Sequence, residues 1–248
     1  MKQGIFTIRS NRKIADRVYE MVLSGDVRAF RAPGQFADLL LPGFYLRRPI
    51  SVCDLGNGRM VLVYKTVGAG TVQMSRMTPG GTVDVLTGLG NGYSVEKSGE
   101  TPLLVGGGTG VPPLYLLAKR LLEAGKRPKV ILGFNTAPEI FYEEQFRNLG
   151  AQIFTATADG SRGTRGLVTD AMKRCGQFDY VFCCGPIPML RAVFHAAQVP
   201  GQFSFEARMG CGFGVCMGCS VETKNGFRRV CRDGPVFERS EIVWRTQA

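Results

Sequence analysis

The stretch TPLLVGGGTGVPPLYLLAKRLLEAG, residues 101–125, combines a short apolar run, a glycine-rich turn and an amphipathic helix. Its leucines recur at helical spacing, Pro112 and Pro113 suit a first helical turn, and Gly125 suits the position after a helix end. Three further strand-then-helix pairs follow, beginning at KVILGF, QIFTATA and FDYVFCC. Four such units in succession predict a doubly wound parallel α/β domain over residues 98–200.

The segments on either side space their apolar residues differently. Residues 1–97 contain short alternating runs broken by Gly, Pro, Asn and Asp, which is typical of an antiparallel barrel or sandwich. After residue 200 the helical period disappears, and the tail is rich in glycine and cysteine and too short to bury a large core. We therefore expect three domains: an antiparallel β domain over 1–97, the α/β domain over 98–200 and a small domain over 201–248. The small domain needs a cross-link, such as a bound metal, to be stable.

The composition is that of a globular chain, with 248 residues of which 44% are hydrophobic. The N-terminus lacks the apolar run of a signal peptide, and no segment approaches about 18 uninterrupted apolar residues. We expect a cytoplasmic protein that does not enter a membrane. The formal net charge of +11 is scattered and not interleaved with aromatic residues, so we expect phosphate-bearing cofactors and an acidic protein partner and not a nucleic acid.

Hydrolysis and group transfer have little support in this sequence. His195 is the only histidine, it lies on a predicted helix, and we interpret it as a surface or packing residue. No nucleophile triad is evident. Electron or hydride transfer needs no such groups, because the cofactors carry that chemistry.

Four of the eight cysteines lie in the tail with the spacing C-x4-C-x2-C-x11-C. In a reducing compartment, clustered cysteines indicate metal ligands or redox groups and not disulfides. The first three follow the plant-type spacing for a [2Fe–2S] cluster, and intervening glycines let the loop fold tightly. A structural zinc site with four cysteine ligands is the alternative, although zinc sites more often show two C-x2-C pairs. The predicted ligands are Cys211, Cys216, Cys219 and Cys231. We expect buried, inert thiols at Cys53, Cys175 and Cys183.

Two loops predict a dinucleotide site. The loop VGGGTGVPP, residues 105–113, joins the first parallel strand to its helix, where backbone amides can approach a pyrophosphate. The loop CCGPIPML, residues 183–190, follows the fourth strand at the same edge of the sheet. The predicted dinucleotide-binding residues are Gly106, Gly107, Gly108, Thr109, Gly110, Asp159, Cys184, Gly185 and Pro186.

The first segment contains RRPISV, residues 47–52, and VYKTVGAGT, residues 63–71. In a β domain that precedes the GGGTG and CGP loops, RPIS resembles the R-x-[YF]-S flavin signature of the ferredoxin–NADP reductase superfamily, with Ile50 at the usual aromatic position. Together with GLGNGY, residues 88–93, and the cysteine pattern, it resembles the electron transfer subunit of type B dihydroorotate dehydrogenase over nearly the whole chain.

This resemblance implies a six-stranded FAD barrel, a central NAD domain and a C-terminal [2Fe–2S] domain. It implies that electrons from the FMN of a catalytic partner pass through the cluster and FAD to NAD⁺ in pyrimidine (UMP) biosynthesis. It further implies that the partner oxidises dihydroorotate, that two copies of each chain form a heterotetramer, and that the isolated chain has NADH diaphorase activity. Cys184 is implied as a residue of the nicotinamide pocket. The implied FAD ligands are Arg48, Pro49, Ile50, Ser51, Val63, Tyr64, Lys65, Gly70 and Thr71.

The choice between NAD and NADP depends on residues 157–166. Asp159 favours NAD, because a carboxylate accepts hydrogen bonds from a ribose hydroxyl and repels a phosphate. Ser161, Arg162 and Arg165 favour NADP, because a guanidinium pairs with a phosphate. Since the resemblance is to an NAD-linked enzyme, we predict NAD. Two alternatives are a related subunit of a ferredoxin:NAD(P) oxidoreductase or of a sulfide- or hydrogen-linked complex, and a zinc-bearing interaction module.

Overall fold

The structure is a computed structural model that describes residues 1–244. Its first part is a closed antiparallel barrel of six strands in the order β1-β2-β5-β4-β3-β6. Inward-facing apolar side chains such as Phe6, Leu23 and Val85 alternate with outward-facing ones and fill the barrel. The strands are β1 (Lys2–Ala15), β2 (Val18–Ser24), β3 (Phe36–Leu40), β4 (Arg48–Gly56), β5 (Arg59–Lys65) and β6 (Thr82–Leu89), with helix α1 (Ala69–Ser75) between β5 and β6. The prediction of an antiparallel β domain is confirmed, and of the two predicted forms the barrel is the one observed.

The second part is a seven-stranded sheet in the order β10-β9-β8-β7-β11-β12-β15, parallel except for its last strand. Its strands are β7 (Leu103–Gly107), β8 (Lys129–Phe134), β9 (Gln152–Thr157), β10 (Thr164–Arg165), β11 (Val181–Cys184), β12 (Gly201–Ser204) and, from the tail, β15 (Val236–Glu238). Its helices are α2 (Pro112–Glu123), α3 (Glu143–Asn148), α4 (Val168–Met172) and α5 (Ile187–Ala196). The tail also forms a hairpin of β13 (Ser220–Thr223) and β14 (Gly226–Arg229).

Alternation along the strands explains why helices cover both faces of this sheet. In β7, Leu104 packs against α2, whereas its neighbours Leu103 and Val105 pack on the face covered by α4 and α5. The prediction of a doubly wound sheet is therefore confirmed. The chain runs outward from β7 in one direction and then returns to β11 on its other side, so the loops after β7 and β11 meet at a switch point, where such sheets bind ligands.

The predicted boundary at residue 200 falls directly before β12. Strands from both sides of this boundary lie in one sheet, because β12 pairs with β11 and the tail strand β15 pairs with β12. The division into three domains stays a prediction, and the last four residues of the predicted third domain lie outside the described residues. In residues 1–244 no helix is long and apolar enough to span a membrane.

Candidate functional site

A cleft between the barrel and the sheet contains a first cavity of about 410 Å³. Strands β4 and β5 and the start of α1 line its barrel side, and the segment after β12 lines its other side. The Tyr64 hydroxyl is engaged inside the barrel, where it donates to Asn11 Oδ1 at 2.8 Å. The structure brings eight of the nine implied FAD ligands to this cavity: Arg48, Pro49, Ile50, Ser51, Val63, Tyr64, Lys65 and Thr71.

The ninth residue, Gly70, lies directly against the Arg48 guanidinium, so that a methyl group at Gly70 would overlap Arg48 Nε. The Arg48 guanidinium is fixed by hydrogen bonds from Nη1 to the Leu46 carbonyl at 2.6 Å and the Arg47 carbonyl at 3.1 Å, and it stacks on the Phe44 ring at 4.5 Å. A cation held against the first turn of α1 forms a cradle that suits a pyrophosphate. These residues therefore fit FAD.

Two titratable groups line the opposite wall of this cavity, namely Cys184 at the end of β11 and Glu206 after β12. Burial raises the pKa of Cys184 to about 12, and nearby Glu206 adds to the effect, so Cys184 is a neutral thiol at neutral pH. Glu206 is exposed, yet the protein around it displaces part of its hydration and raises its pKa. The protein therefore raises the pKa of both groups on this wall.

A second cavity of about 450 Å³ lies beside the first, and both are lined by Lys65 and Thr109. The loops after β7, β8, β9 and β11 surround it, which is the edge predicted for a dinucleotide. Of the predicted dinucleotide residues, Gly107, Gly108, Thr109 and Pro186 line this cavity, and Cys184 lines the first one. Gly106, Gly110 and Gly185 do not line either cavity, but Gly106 lies near the end of β7 and the other two lie in the loops that follow β7 and β11.

The structure does not bring Asp159 into the second cavity. Asp159 Oδ1 instead accepts hydrogen bonds from the Ser161 amide at 3.0 Å and the Ser161 hydroxyl at 2.6 Å. Arg162 forms an ion pair with Glu143 at 3.1 Å, and the Arg165 stem lies against Gly160. Ser161 and Arg162, two of the three residues that favour NADP, therefore have their polar groups bound by other protein groups.

The predicted cluster ligands form two thiol pairs. Cys211 Sγ accepts hydrogen bonds from the amides of Val215 at 3.2 Å and Cys216 at 3.5 Å, and Cys219 Sγ accepts one from the Cys231 amide at 3.4 Å. The thiols of Cys211 and Cys216 interact with each other, and so do those of Cys219 and Cys231. Among residues 1–244, no three His, Cys, Asp or Glu side chains are arranged to hold a single metal ion. Two pairs suit a [2Fe–2S] cluster, because each of its two irons takes two protein ligands.

The cysteine loop is shaped for anionic sulfur. Gly212 adopts a φ of +76°, a backbone conformation that favours glycine. Burial acts to raise the pKa of Cys211, but hydrogen bonds from backbone amides outweigh this effect and lower it to about 6. The thiolate is the form that binds iron, and a lowered pKa favours it. The donor set therefore fits the cluster.

The comparisons agree with this architecture. A family model described as the iron-sulfur cluster binding domain of dihydroorotate dehydrogenase B matches residues 206–243, and an oxidoreductase NAD-binding domain matches residues 104–195. The dihydroorotate dehydrogenase B (NAD(+)) electron transfer subunit of Bacillus caldolyticus is 44% identical over 252 residues, covering 96% of this chain and 97% of that protein. The chain belongs to this family of electron transfer subunits. The subunit of Bacillus pumilus (strain SAFR-032) is also 44% identical and covers 98% of this chain and 99% of its own length.

Solved structures extend the likeness beyond dihydroorotate dehydrogenase B. A chain of the NADH-dependent reduced ferredoxin-NADP oxidoreductase is 32% identical, with a TM-score of 0.88, and covers 97% of this chain and 90% of its own. A ferredoxin NADP⁺ reductase from Neisseria gonorrhoeae with bound FAD and NADP is 15% identical, with a TM-score of 0.67, and covers 79% of this chain and 90% of its own. The second likeness concerns the fold alone.

Several residues that line the candidate site in this electron transfer subunit were missed from the sequence, among them two acidic residues and a methionine. Glu206 and Met209 line the first cavity, which we call the flavin-side cavity. Glu139 lines the second cavity, which we call the dinucleotide-side cavity. Glu206 follows a parallel strand at the same edge as the CGP loop, so its position signals a site once β12 is recognised. The sequence around Glu139 and Met209 carries no comparable signal.

Proposed function

We propose that this chain is the electron transfer subunit of an NAD-dependent dihydroorotate dehydrogenase, working with an FMN-containing catalytic subunit in pyrimidine (UMP) biosynthesis. When bound, the [2Fe–2S] cluster passes single electrons from the partner's FMN, and FAD collects two and delivers a hydride to NAD⁺. Two copies of each subunit form a heterotetramer in the cytoplasm.

The observation that carries the proposal is the continuity of the three sites. Met209 lines the flavin-side cavity and stands two residues before Cys211, the first predicted cluster ligand. On the other side, Lys65 and Thr109 line both the flavin-side and the dinucleotide-side cavities. A flavin in the first cavity therefore lies between the cluster loop and the dinucleotide, in the order that electron transfer requires.

The residues of the cleft divide the work of binding. Arg48 neutralises the FAD pyrophosphate beside Gly70 and Thr71, and Pro49 to Ser51 with Val63 to Lys65 hold the isoalloxazine ring. The loop of Gly106 to Gly110 brings backbone amides to the NAD pyrophosphate, and Cys184 to Pro186 border the nicotinamide. Asp159 stays a candidate for the ribose hydroxyls. Neutral Cys184 excludes water beside the flavin without placing a charge there.

The surface around the cysteine loop suits docking of the catalytic subunit. Cys216 is exposed, and three exposed apolar side chains flank it, namely Phe213, Val215 and Met217. Arg208 and Arg232 are also exposed near this loop. An apolar centre with arginines nearby fits a partner surface that is apolar in its middle and acidic at its rim.

A second candidate function is electron exchange with ferredoxin. The likeness to the NADH-dependent reduced ferredoxin-NADP oxidoreductase, with a TM-score of 0.88, supports it. The higher identity of 44% to dihydroorotate dehydrogenase B subunits over 96% of the chain favours the first function.

Cofactor analysis of the isolated chain tests the shared part of both functions. We expect one FAD, two irons and two acid-labile sulfides per chain, with NADH-dependent reduction of a dye. If the isolated chain contained one zinc and neither iron nor flavin, the zinc-bearing interaction module would be supported. Both electron-transfer functions would be contradicted.

A further inference from the structure

An ion pair joins the barrel to the sheet at the boundary of the two cavities. Lys65 Nζ, at the end of β5, lies 3.2 Å from Glu139 Oε1, in the turn after β8. The side chains are 23% and 18% exposed. Lys65 lines both cavities and Glu139 lines the dinucleotide-side cavity.

The second oxygen of Glu139 is held as well. Glu139 Oε2 accepts hydrogen bonds from the Asn135 amide at 3.3 Å and from Asn135 Nδ2 at 3.1 Å. Burial acts to raise the pKa of Glu139, but the hydrogen bonds from Lys65 and Asn135 outweigh it and lower that pKa. Glu139 is therefore an ionised, oriented carboxylate that fixes the Lys65 ammonium group between the cavities.

The position of Lys65 matters because two-electron reduction adds negative charge to a flavin. An unrestrained ammonium group beside the flavin would stabilise that charge and make the flavin a weaker hydride donor to NAD⁺. A carboxylate that holds the ammonium group at the boundary, and offsets its charge, limits this stabilisation.

We propose that Glu139 is a positioning residue that acts through Lys65 to keep the reduction potential of the bound FAD low enough for hydride delivery to NAD⁺. This inference rests on the proposed function, since it requires FAD in the first cavity. Glu139 itself does not line that cavity.

A second ion pair between barrel and sheet provides a matched control. Lys119 Nζ on α2 lies 3.1 Å from Asp54 Oδ1 on β4, with side chains 35% and 25% exposed. It joins the same two parts of the chain, but neither residue lines either of the two cavities. Asp54→Asn therefore removes an interdomain ion pair without changing the charge at the cavities.

The test is the redox equilibrium of the FAD in the full-length chain against a reference dye, measured anaerobically without dinucleotide. In Glu139→Gln the Lys65 ammonium group is released, and a unit charge that moves from about 10 Å to about 5 Å from the ring, at an effective dielectric of about 20, predicts a shift of about tenfold toward reduced flavin. That change equals about 30 mV for a two-electron couple. Asp54→Asn leaves the equilibrium unchanged.

A double-mutant cycle then asks whether Glu139 acts through Lys65. We expect the shift in the redox equilibrium caused by Glu139→Gln to fall at least threefold in a Lys65→Met background. In that background there is no ammonium group for the substitution to release. An equal shift in both backgrounds, no shift, or the same shift in Asp54→Asn overturns the proposal. Loss of FAD from folded Glu139→Gln also overturns it, since the pair would then be a binding support. If the unsubstituted chain carries no flavin, the proposed function itself fails.

Discussion

Replacing Gly70 by alanine tests the flavin site most sharply, because the effect on binding separates from the effect on folding. A methyl group at this position would overlap Arg48 Nε, so the guanidinium must leave the first turn of α1. A charge-assisted contact with the pyrophosphate would then be lost, which costs about 2 kcal/mol. We expect FAD to bind about 30-fold more weakly.

The stability of the apoprotein should change little in the same variant. When Arg48 moves, it loses its hydrogen bonds to the Leu46 and Arg47 carbonyls and its contact with Phe44. Alanine in place of glycine stabilises a helix by about 0.5–1 kcal/mol, which offsets part of that loss.

The assay is titration of the apoprotein with FAD, together with thermal unfolding of the apoprotein. Gly56→Ala is the control, because a side chain at Gly56 meets no atom within 4 Å and its φ is not positive. An unchanged FAD affinity in Gly70→Ala, or an equal loss in Gly56→Ala, would refute the assignment of Arg48 and Gly70 to the pyrophosphate.

Further predictions concern the cluster, the dinucleotide and the interface. Cys216→Ser should remove the cluster and Cys175→Ser should not, as judged by iron content and visible absorption; equal behaviour contradicts the ligand assignment. NADH should be preferred over NADPH in kcat/KM for dye reduction, and a tenfold NADPH preference, about 1.4 kcal/mol, would reverse the assignment. Cys184→Ala should lower diaphorase activity or NADH affinity, and full retention of both would make Cys184 a packing residue. Tyr142→Phe should lower the free energy of unfolding by about 1–3 kcal/mol in denaturant titrations, because buried Glu20 loses a donor at 2.7 Å; no loss would contradict this role.

The helices and parallel strands were predictable because each follows its own local period. Leu114, Leu117 and Leu121 recur on one helix face and all three are fully buried in the structure. Closure of the barrel was not predictable in this way, since it depends on pairing between β1 and β6, whose partners Lys2 and Thr87 are far apart in sequence. The same limit applies to β15, whose place at the sheet edge depends on pairing with β12.

At the site, sequence patterns identified groups with a distinctive chemistry or spacing. The tail cysteines and RPIS have such spacing, and the structure gathers each set in one place. Glu139 and Glu206 lack it, because a single acidic residue is ordinary until the fold places it beside a cavity. Asp159 shows the opposite case, since its hydrogen bonds with Ser161 depend on a turn that residue type alone does not specify.

The most direct test of the central claim is NADH formation from NAD⁺ and dihydroorotate by this chain combined with an FMN-containing catalytic subunit. We predict that the complex forms NADH, that neither subunit alone does, and that Cys216→Ser abolishes the reaction while the catalytic subunit still oxidises dihydroorotate with a dye. Absence of NADH from the complex, with reduced ferredoxin supporting NAD(P)⁺ reduction by this chain, would contradict the claim and favour the ferredoxin-linked function.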